Sequence, residues 1–87
     1  MSKKRTDFVE ALVEDYTETL GYAEKVDNLT IRSLDGESTL QFDSVIENNE
    51  AVGVQVFVNG TLDFEGSYTD ENFSEDLAKA VVYNLNV

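Results

Sequence analysis

Residues 28 to 68 constrain the fold of this chain more than any other stretch. They contain four short runs in which apolar and polar residues alternate, and residues typical of tight turns separate the runs. Alternation with a period of two is the pattern of a strand that buries one face. Asp35-Gly36 and Asn59-Gly60 are strong hairpin signals between such runs. The stretch therefore predicts a four-stranded antiparallel β-meander.

The requirement that apolar side chains share one face predicts the register of these strands. A two-residue loop at the first turn pairs Ile31 with Leu40. Three-residue loops at the next two turns pair Val54 with Phe42 on one side and with Phe64 on the other, whereas two-residue loops would turn neighbouring apolar residues to opposite faces. The predicted buried face consists of Leu29, Ile31, Leu40, Phe42, Val52, Val54, Val56, Leu62 and Phe64. The predicted outer face includes Phe57, Asp63 and Glu65.

Apolar residues at helical spacing predict one helix on each side of the meander. The first is predicted over residues 7–20 with Thr6 or Asp7 as its N-cap, and the second over residues 70–85 with Thr69 as its N-cap. Both helices should pack on the apolar face of the sheet. The result is a two-layer α+β domain that takes up the whole chain of 87 residues.

The charge of the chain is its strongest indication of function. The net charge is −12 at pH 7. Lys3, Lys4 and Arg5 are half of the six basic residues, and we expect residues 1–5 to form a mobile basic arm. After Arg5 only three basic residues stand against all 18 acidic ones. Such a body repels nucleic acid and anionic membranes, so we expect a basic protein partner and no direct binding to either.

The residue types that most enzymes depend on are missing. The chain has no cysteine and no histidine, which excludes thiol chemistry, Ser-His catalysis and the commonest transition-metal ligand. Paired carboxylates catalyse glycoside hydrolysis, but one small core leaves little room for the cleft that this reaction needs. No calcium-loop pattern occurs, and the acids near residue 70 are typical of a solvated helix start. We expect neither an enzyme nor a cofactor.

The hydropathy of the chain predicts where it resides. No apolar run approaches the ~20 residues that span a bilayer. No apolar signal region follows the basic N-terminal residues. We therefore expect a cytoplasmic protein.

Acidic residues in the first predicted helix form a row. Glu10, Glu14 and Glu18 are four residues apart, with Asp15 beside them and no lysine among them. Like charges at that spacing destabilise a helix by about 0.2–0.5 kcal/mol per pair, so the row is either functional or offset by packing. Carboxylates at this spacing lie ~6 Å apart along the helix axis, which is comparable to the spacing of phosphates on DNA. The predicted partner-binding residues are Glu10, Glu14, Asp15, Glu18, Asp63, Glu65, Asp70, Glu71 and Glu75, with Phe57 as an apolar anchor.

The charge leaves three interpretations open. The first is an inhibitor that occupies the DNA-holding surface of a basic nuclease or a related nucleic-acid-binding protein. The second is an acidic interaction or immunity-type module whose partner does not bind nucleic acid. The third is an acidic surface that serves only solubility in high salt. Competition with DNA for the partner separates the first interpretation from the second.

In its small size, strong acidity and order of helix, meander and helix, the chain resembles the small phage-encoded DNA-mimic inhibitors, the anti-CRISPR and anti-restriction proteins. The resemblance covers the whole chain and lies in composition and element order. It implies a partner such as a CRISPR effector or a restriction nuclease, in the cytoplasm of a host cell, that is blocked where it holds DNA. Acidic immunity proteins that neutralise basic nuclease toxins share these features.

Overall fold

The structure is a computed structural model that describes the backbone of residues 3–87 and the side chains of residues 8–87. Its described part contains two α-helices, a short π-helical segment and five strands. In chain order these are α1 (Lys3–Glu14), the π-helical segment (Asp15–Thr19), β1 (Ala23–Asp27), β2 (Thr30–Ser33), β3 (Thr39–Glu47), β4 (Glu50–Val58), β5 (Thr61–Ser67) and α2 (Phe73–Leu85). The strands form one antiparallel sheet in the order β1-β2-β3-β4-β5.

Both helices pack on the same face of the sheet, which confirms the predicted α+β class. Helix α1 contacts β3 and β4, and α2 contacts β5 and β2. Fully buried side chains from the sheet and from both helices form one core, because each element presents its apolar stripe to the same layer. The core consists of Val9, Val13, Tyr16, Ala23, Ile31, Leu40, Phe42, Val54, Val56, Phe73, Leu77, Val81 and Leu85.

The sheet has five strands in the described residues, and the prediction of four strands was wrong in this detail. The additional strand is β1, which pairs with β2 and forms one edge of the sheet. Ala23 is the one buried residue of β1, and the other four residues of this edge strand are exposed. A strand with a single buried residue shows no apolar alternation, so the sequence pattern indicated a connection. Its charged residues are typical of a protected sheet edge.

The β2–β3 register was predicted correctly, although the loop is longer than expected. Ile31 lies opposite Leu40, as predicted. The loop covers residues 34–38 and not only Asp35-Gly36. The Ser33 hydroxyl accepts a hydrogen bond from the Ser38 amide at 3.0 Å and donates one to Asp35 at 2.6 Å. These side-chain hydrogen bonds order the longer loop without changing the register.

The predicted register between β3 and β4 was wrong by two residues. Phe42 lies opposite Val56 and not Val54. The turn is the two-residue Asn48-Asn49, with φ angles of 51° and 65° that suit a hairpin turn. A β-bulge at Val52 then inserts one extra residue into β4, so that Phe42, Val54 and Val56 still face the core. The expectation of a shared apolar face was right, and the loop length inferred from it was wrong.

A second hairpin of the same kind joins β4 to β5 and corrects the predicted position of Leu62. Asn59-Gly60 forms a two-residue turn with both φ angles positive, and a bulge places an extra residue, Asp63, in β5. Phe64 lies opposite Val56 on the core side, whereas Leu62 lies opposite Phe57 on the outer side. Leu62 was predicted to be buried, and 46% of its surface is exposed. In a regular strand, residues 62 and 64 would face the same side of the sheet. The extra residue of the bulge turns Leu62 to the outer side and leaves Phe64 on the core side.

The first helix changes its winding near its end. Helix α1 begins at Lys3, earlier than the predicted N-cap; the predicted arm, residues 1–5, lies partly outside the described residues. From Asp15 the chain continues as a π-helix, in which the Leu20 amide donates to the Asp15 carbonyl at 2.8 Å. The Thr17 hydroxyl donates to the Val13 carbonyl at 2.7 Å and competes for the acceptor that a continuing α-helix would use.

Helix α2 begins at Phe73, and the predicted start at Asp70 was wrong. Residues 69–72 form a turn, and Thr69 is not the N-cap. The Asp70 carboxylate accepts a hydrogen bond from the Ser67 amide at 2.9 Å. The Asp70 amide donates to the Ser67 carbonyl at 3.0 Å, which closes a turn directly after β5. Asp70 therefore terminates the sheet and does not start the helix.

Candidate functional site

The acidic side chains of residues 8–87 remain at the surface, and none of them is buried. Three basic residues lie in this part of the chain, and each pairs with one carboxylate. The pairs are Lys25–Glu14 at 2.7 Å, Arg32–Glu24 at 3.5 Å and Lys79–Glu75 at 3.4 Å. Most carboxylates in residues 8–87 thus lack a cation from the same part of the chain.

The predicted row in the first helix contains a lysine from another element. We call Glu10, Glu14 and Glu18 the helix row. Lys25 of β1 donates a hydrogen bond to Glu14 Oε2, and it lies opposite the buried Ile31, on the side of the sheet that the helices cover. Lys25 is distant from the three glutamates in sequence. It reaches them from β1, a strand that the alternation of apolar and polar residues did not predict. Asp15, also predicted in this site, is exposed in the π-helical segment.

The contact with Lys25 changes the ionisation of both partners. The hydrogen bond and the positive charge of Lys25 hold the pKa of Glu14 below its usual range. The hydrogen bond to Glu14 raises the pKa of Lys25, and the negative charges of Glu14, Glu18 and Glu10 raise it further. The lysine therefore interacts with all three carboxylates of the helix row. An ion pair from β1 thus offsets part of the like-charge repulsion within the row.

Asp63 and Glu65 do not form a second row, although the alternation of β5 predicted one. Asp63 is the extra residue of the bulge and accepts a hydrogen bond from Asn84 of α2 at 2.9 Å, so it is turned toward the helix layer. Glu65 lies on the outer face and accepts a hydrogen bond from Gln55 at 3.1 Å. The two carboxylates belong to different sides of the sheet, because the bulge rotates one relative to the other.

A shallow groove gathers acids from three separate segments. Its volume is about 230 Å³. It lies at the end of the sheet where β3 and β5 end and β4 begins. The carboxylates of Glu47, Glu65 and Asp70 line it, and no basic residue does. Its remaining walls are small or apolar and consist of Val45, Val52, Gly53, Gly66 and Ser67. A wider depression shares Asp70 and adds Glu71, Glu75 and the half-exposed Tyr68.

We call Glu47, Glu65, Asp70, Glu71 and Glu75 the groove acids. Four of them were predicted contact residues, and the fold brings them together with Glu47, which the sequence did not indicate. Antiparallel order explains the grouping, because the β3–β4 hairpin and the end of β5 lie at the same end of the sheet. Glu47 lies opposite Glu50, directly beside the Asn48-Asn49 turn. Had this two-residue turn been recognised in the sequence, it would have placed Glu47 at the same end of the sheet as the end of β5.

The groove acids and the helix row occupy different parts of the molecule. The helix row contacts β1, at one edge of the sheet, and the groove acids surround the end of β5, at the other edge. Four strand spacings separate these edges by roughly 19 Å. The predicted contact residues therefore fall into two groups, although Phe8 in α1 contacts Tyr68 of the wider depression, with ring centroids 5.4 Å apart. Phe57 lies on the outer face of β4, half-buried and opposite Leu62.

Among the described residues, no group of three or more acidic side chains is arranged to hold a metal ion. No helix in the same residues is long and apolar enough to cross a membrane. Comparison of the chain with protein-family models, with curated proteins and with solved structures gave no match.

Proposed function

We propose that this protein binds the basic surface with which a nucleic-acid-binding protein holds DNA, and that it inhibits that protein by competition. The partner is a basic nuclease, of the CRISPR-effector or restriction class that the resemblance implies. The observation that carries the proposal is the uncompensated charge within residues 8–87. Each of the three basic residues there has a carboxylate partner, and most of the acids there have no cation from the same residues.

The chemistry of phosphate recognition supports this choice of partner. Arginine binds carboxylate and phosphate with the same planar, bidentate geometry, so a surface that holds DNA phosphates also accepts a dense set of carboxylates. The groove acids supply such a set without a basic residue in the groove itself. An acidic surface also attracts a basic partner over distance and speeds association, an effect that salt screens.

Within the proposal, the groove acids form the main contact and the helix row a lesser one. Lys25 already neutralises part of the helix row, and a partner would have to compete with it. The groove acids hold mostly neutral donors: Gln55 donates to Glu65, and the Ser67 amide donates to Asp70. Neutral donors orient a carboxylate and leave its charge in place, so these acids remain able to pair with an arginine.

The test has two steps. The protein is first used to capture partners from a host lysate at low salt and at half-molar sodium chloride, and the proteins that are lost at high salt are identified. The protein is then titrated against a preformed complex of the captured partner with DNA. We expect DNA to be displaced completely at saturation. If the DNA stays bound while this protein binds, the competition is absent and the acidic interaction module is the correct interpretation.

A further inference from the structure

The outer face of the sheet is open and carries side chains in three ordered rows. No helix of the described residues covers it, because both helices pack on the opposite face. The register across β3, β4 and β5 defines the rows. They are Gln41–Phe57–Leu62, then Asp43–Gln55–Glu65, then Val45–Gly53–Ser67. An apolar row thus borders a carboxylate row, and the groove lies beyond the carboxylates.

The apolar row exposes a large hydrophobic pair. Leu62 is 46% exposed, and Phe57, directly opposite, is half-buried. A three-residue loop at Asn59 would have placed Leu62 in the core, but the structure uses a two-residue turn and a bulge. The fold therefore leaves this leucine on the surface beside an aromatic ring.

We infer that this open face docks a basic segment of a protein partner that presents an apolar side chain and an arginine about 7 Å apart. The inference rests on the proposed function and specifies the partner's chemistry. The apolar side chain lies on Phe57 and Leu62. The arginine reaches between Asp43 and Glu65 toward the groove, where its methylene stem meets Val45 and its guanidinium meets carboxylates.

Charge decides which occupant fits. Asp43, Glu65 and Glu47 are acidic. Arg32, the basic residue of this face within residues 8–87, already pairs with Glu24 at 3.5 Å. A second copy of this chain would bring a net charge of −12 to the same carboxylates and would be repelled. A basic segment gains the charge complementarity that a second copy lacks, and its apolar residue covers the exposed leucine.

The spacing of the rows sets the pattern of the partner. Alternate residues on a strand are about 6.6 Å apart, so the apolar row and the carboxylate row have this separation. Residues four apart on a helix rise about 6 Å along the axis. A partner helix with leucine and arginine at positions i and i+4 therefore matches both rows at once.

The experiment titrates the isotope-labelled full chain with a blocked, alanine-based helical peptide of about 15 residues that carries leucine–arginine pairs at i and i+4. A second peptide has serine in place of each leucine and the same charge. We expect amide shift changes concentrated on the open face and binding at least about fivefold weaker for the serine peptide. The reporting amides are those of Gly53, Gln55, Phe57, Leu62 and Glu65.

A matched pair of variants tests the same contact from the side of the protein. Leu62→Ser should weaken binding of the leucine peptide at least about fivefold. Leu20→Ser should leave it within about twofold, because Leu20 is equally exposed, at 48%, but lies at the end of the π-helical segment. The serine peptide tests the contact without any change in the protein, so the result does not depend on the folding of a variant.

Equal binding of the two peptides, shift changes centred on the helix row, or no binding at about 1 mM peptide would each overturn the inference. The proposed function is judged separately by displacement of DNA. If DNA is displaced and Leu62→Ser displaces it equally well, the proposed function stands and the docking inference fails. If the leucine peptide binds the open face and DNA is not displaced, the docking inference stands and the proposed function fails.

Discussion

The helix row and the groove acids are both dense in carboxylates, but the protein treats them differently. In the helix row, Lys25 lies 2.7 Å from Glu14 and interacts with the other two glutamates. Among the groove acids, Glu65 and Asp70 accept hydrogen bonds from neutral donors, and Glu75 pairs with Lys79 at 3.4 Å. The first region neutralises part of its own charge, and in the second Glu65 and Asp70 are held by neutral donors.

The comparison shows that acidic residues close together in sequence are poor guides to an available acidic surface. The helix row is visible in the sequence and is partly neutralised by a residue from another strand. The groove acids are spread between residues 47 and 75 and meet only because antiparallel strands end together. Stability and titration should separate the two regions, and the largest effect is expected beneath the groove.

The largest effect is expected from Gly53→Ala, which disrupts the backbone beneath the groove. A Cβ atom at Gly53 would collide with the carbonyl oxygen of Gly66 in β5. Strand β4 or β5 has to move, and we expect a loss of about 1–3 kcal/mol in the free energy of unfolding. Glu18→Ala, in the helix row, should change it by less than about 0.5 kcal/mol. Urea denaturation measures both, and equal losses would show that the groove has no special backbone constraint.

Salt should stabilise the wild-type protein. Residues 8–87 carry many acids and three basic residues, so repulsion within the folded state opposes compactness. At half-molar salt the Debye length falls well below the ~8 Å of physiological ionic strength, and the repulsion weakens. We expect the thermal midpoint to rise by several degrees between low salt and half-molar sodium chloride. A midpoint that falls or stays constant would mean that the acids are locally compensated throughout.

Replacement of the lysine in the helix row should cost more stability than replacement of a lysine outside it. Lys25→Gln removes the cation that reaches the three glutamates from β1, whereas Lys79→Gln breaks one exposed contact within α2. We expect the midpoint to fall by a few degrees for Lys25→Gln at low salt and by less for Lys79→Gln. Half-molar salt should shrink the difference. Equal midpoints for the two variants would contradict the neutralising role of Lys25.

The smallest effect is on the titration of Glu14. Because Lys25 depresses the folded-state pKa of Glu14, this carboxylate stabilises the fold above its unfolded pKa, and the contribution is lost as pH falls through the folded pKa. For Lys25 the folded pKa is raised, so its contribution is present below the unfolded pKa and is lost as pH rises through the folded value. Carbon-detected titration should give a midpoint for Glu14 below that of ordinary glutamate.

Lys25→Gln should return the Glu14 midpoint toward the ordinary glutamate value. The control is Arg32→Gln, which removes a cation from the opposite face of the sheet, where it pairs with Glu24. This variant should leave the titration of Glu14 unchanged. If Glu14 titrates normally in the wild-type protein, the ion pair with Lys25 is not maintained in solution.

The sequence predicted the architecture well because alternation directly reports which side chains are buried. The two helices on one face, the meander order and the burial of Phe42 and Val54 all follow from that pattern. Bulges are not visible in it, since an extra residue at Val52 or Asp63 restores the shared face after a turn of a different length. For β3–β4 and β4–β5 the predicted register was therefore wrong. Phe42, Val54 and Val56 were still assigned to the correct face, and Leu62 was not.

The candidate site was less predictable than the fold, because it depends on contacts between distant residues. Glu10 and Glu14 lie in α1 and Glu18 in the π-helical segment, and the lysine beside them comes from a strand with a single buried residue. The outward position of Leu62 depends on the bulge in β5. Net charge was available from composition, whereas the location of the uncompensated charge required strand order and register.

Two triple variants, compared in the displacement of DNA from the captured partner, test most directly whether the groove acids make the contact. One carries Glu47→Gln, Glu65→Gln and Glu71→Gln. It keeps Asp70, because the Asp70 carboxylate accepts a hydrogen bond from the Ser67 amide. The other carries Glu10→Gln, Glu14→Gln and Glu18→Gln. Both remove the same three negative charges from a net charge of −12, so only location differs. Thermal melts establish that each variant is folded.

We predict that the groove variant needs at least about tenfold more protein to displace half of the DNA, and that the helix-row variant needs less than about threefold more. This result would assign the contact to the acids that lack a cation of their own. Equal losses in the two variants would show that net charge alone governs binding. A larger loss in the helix-row variant would place the contact on the surface that Lys25 partly neutralises, and would contradict the account.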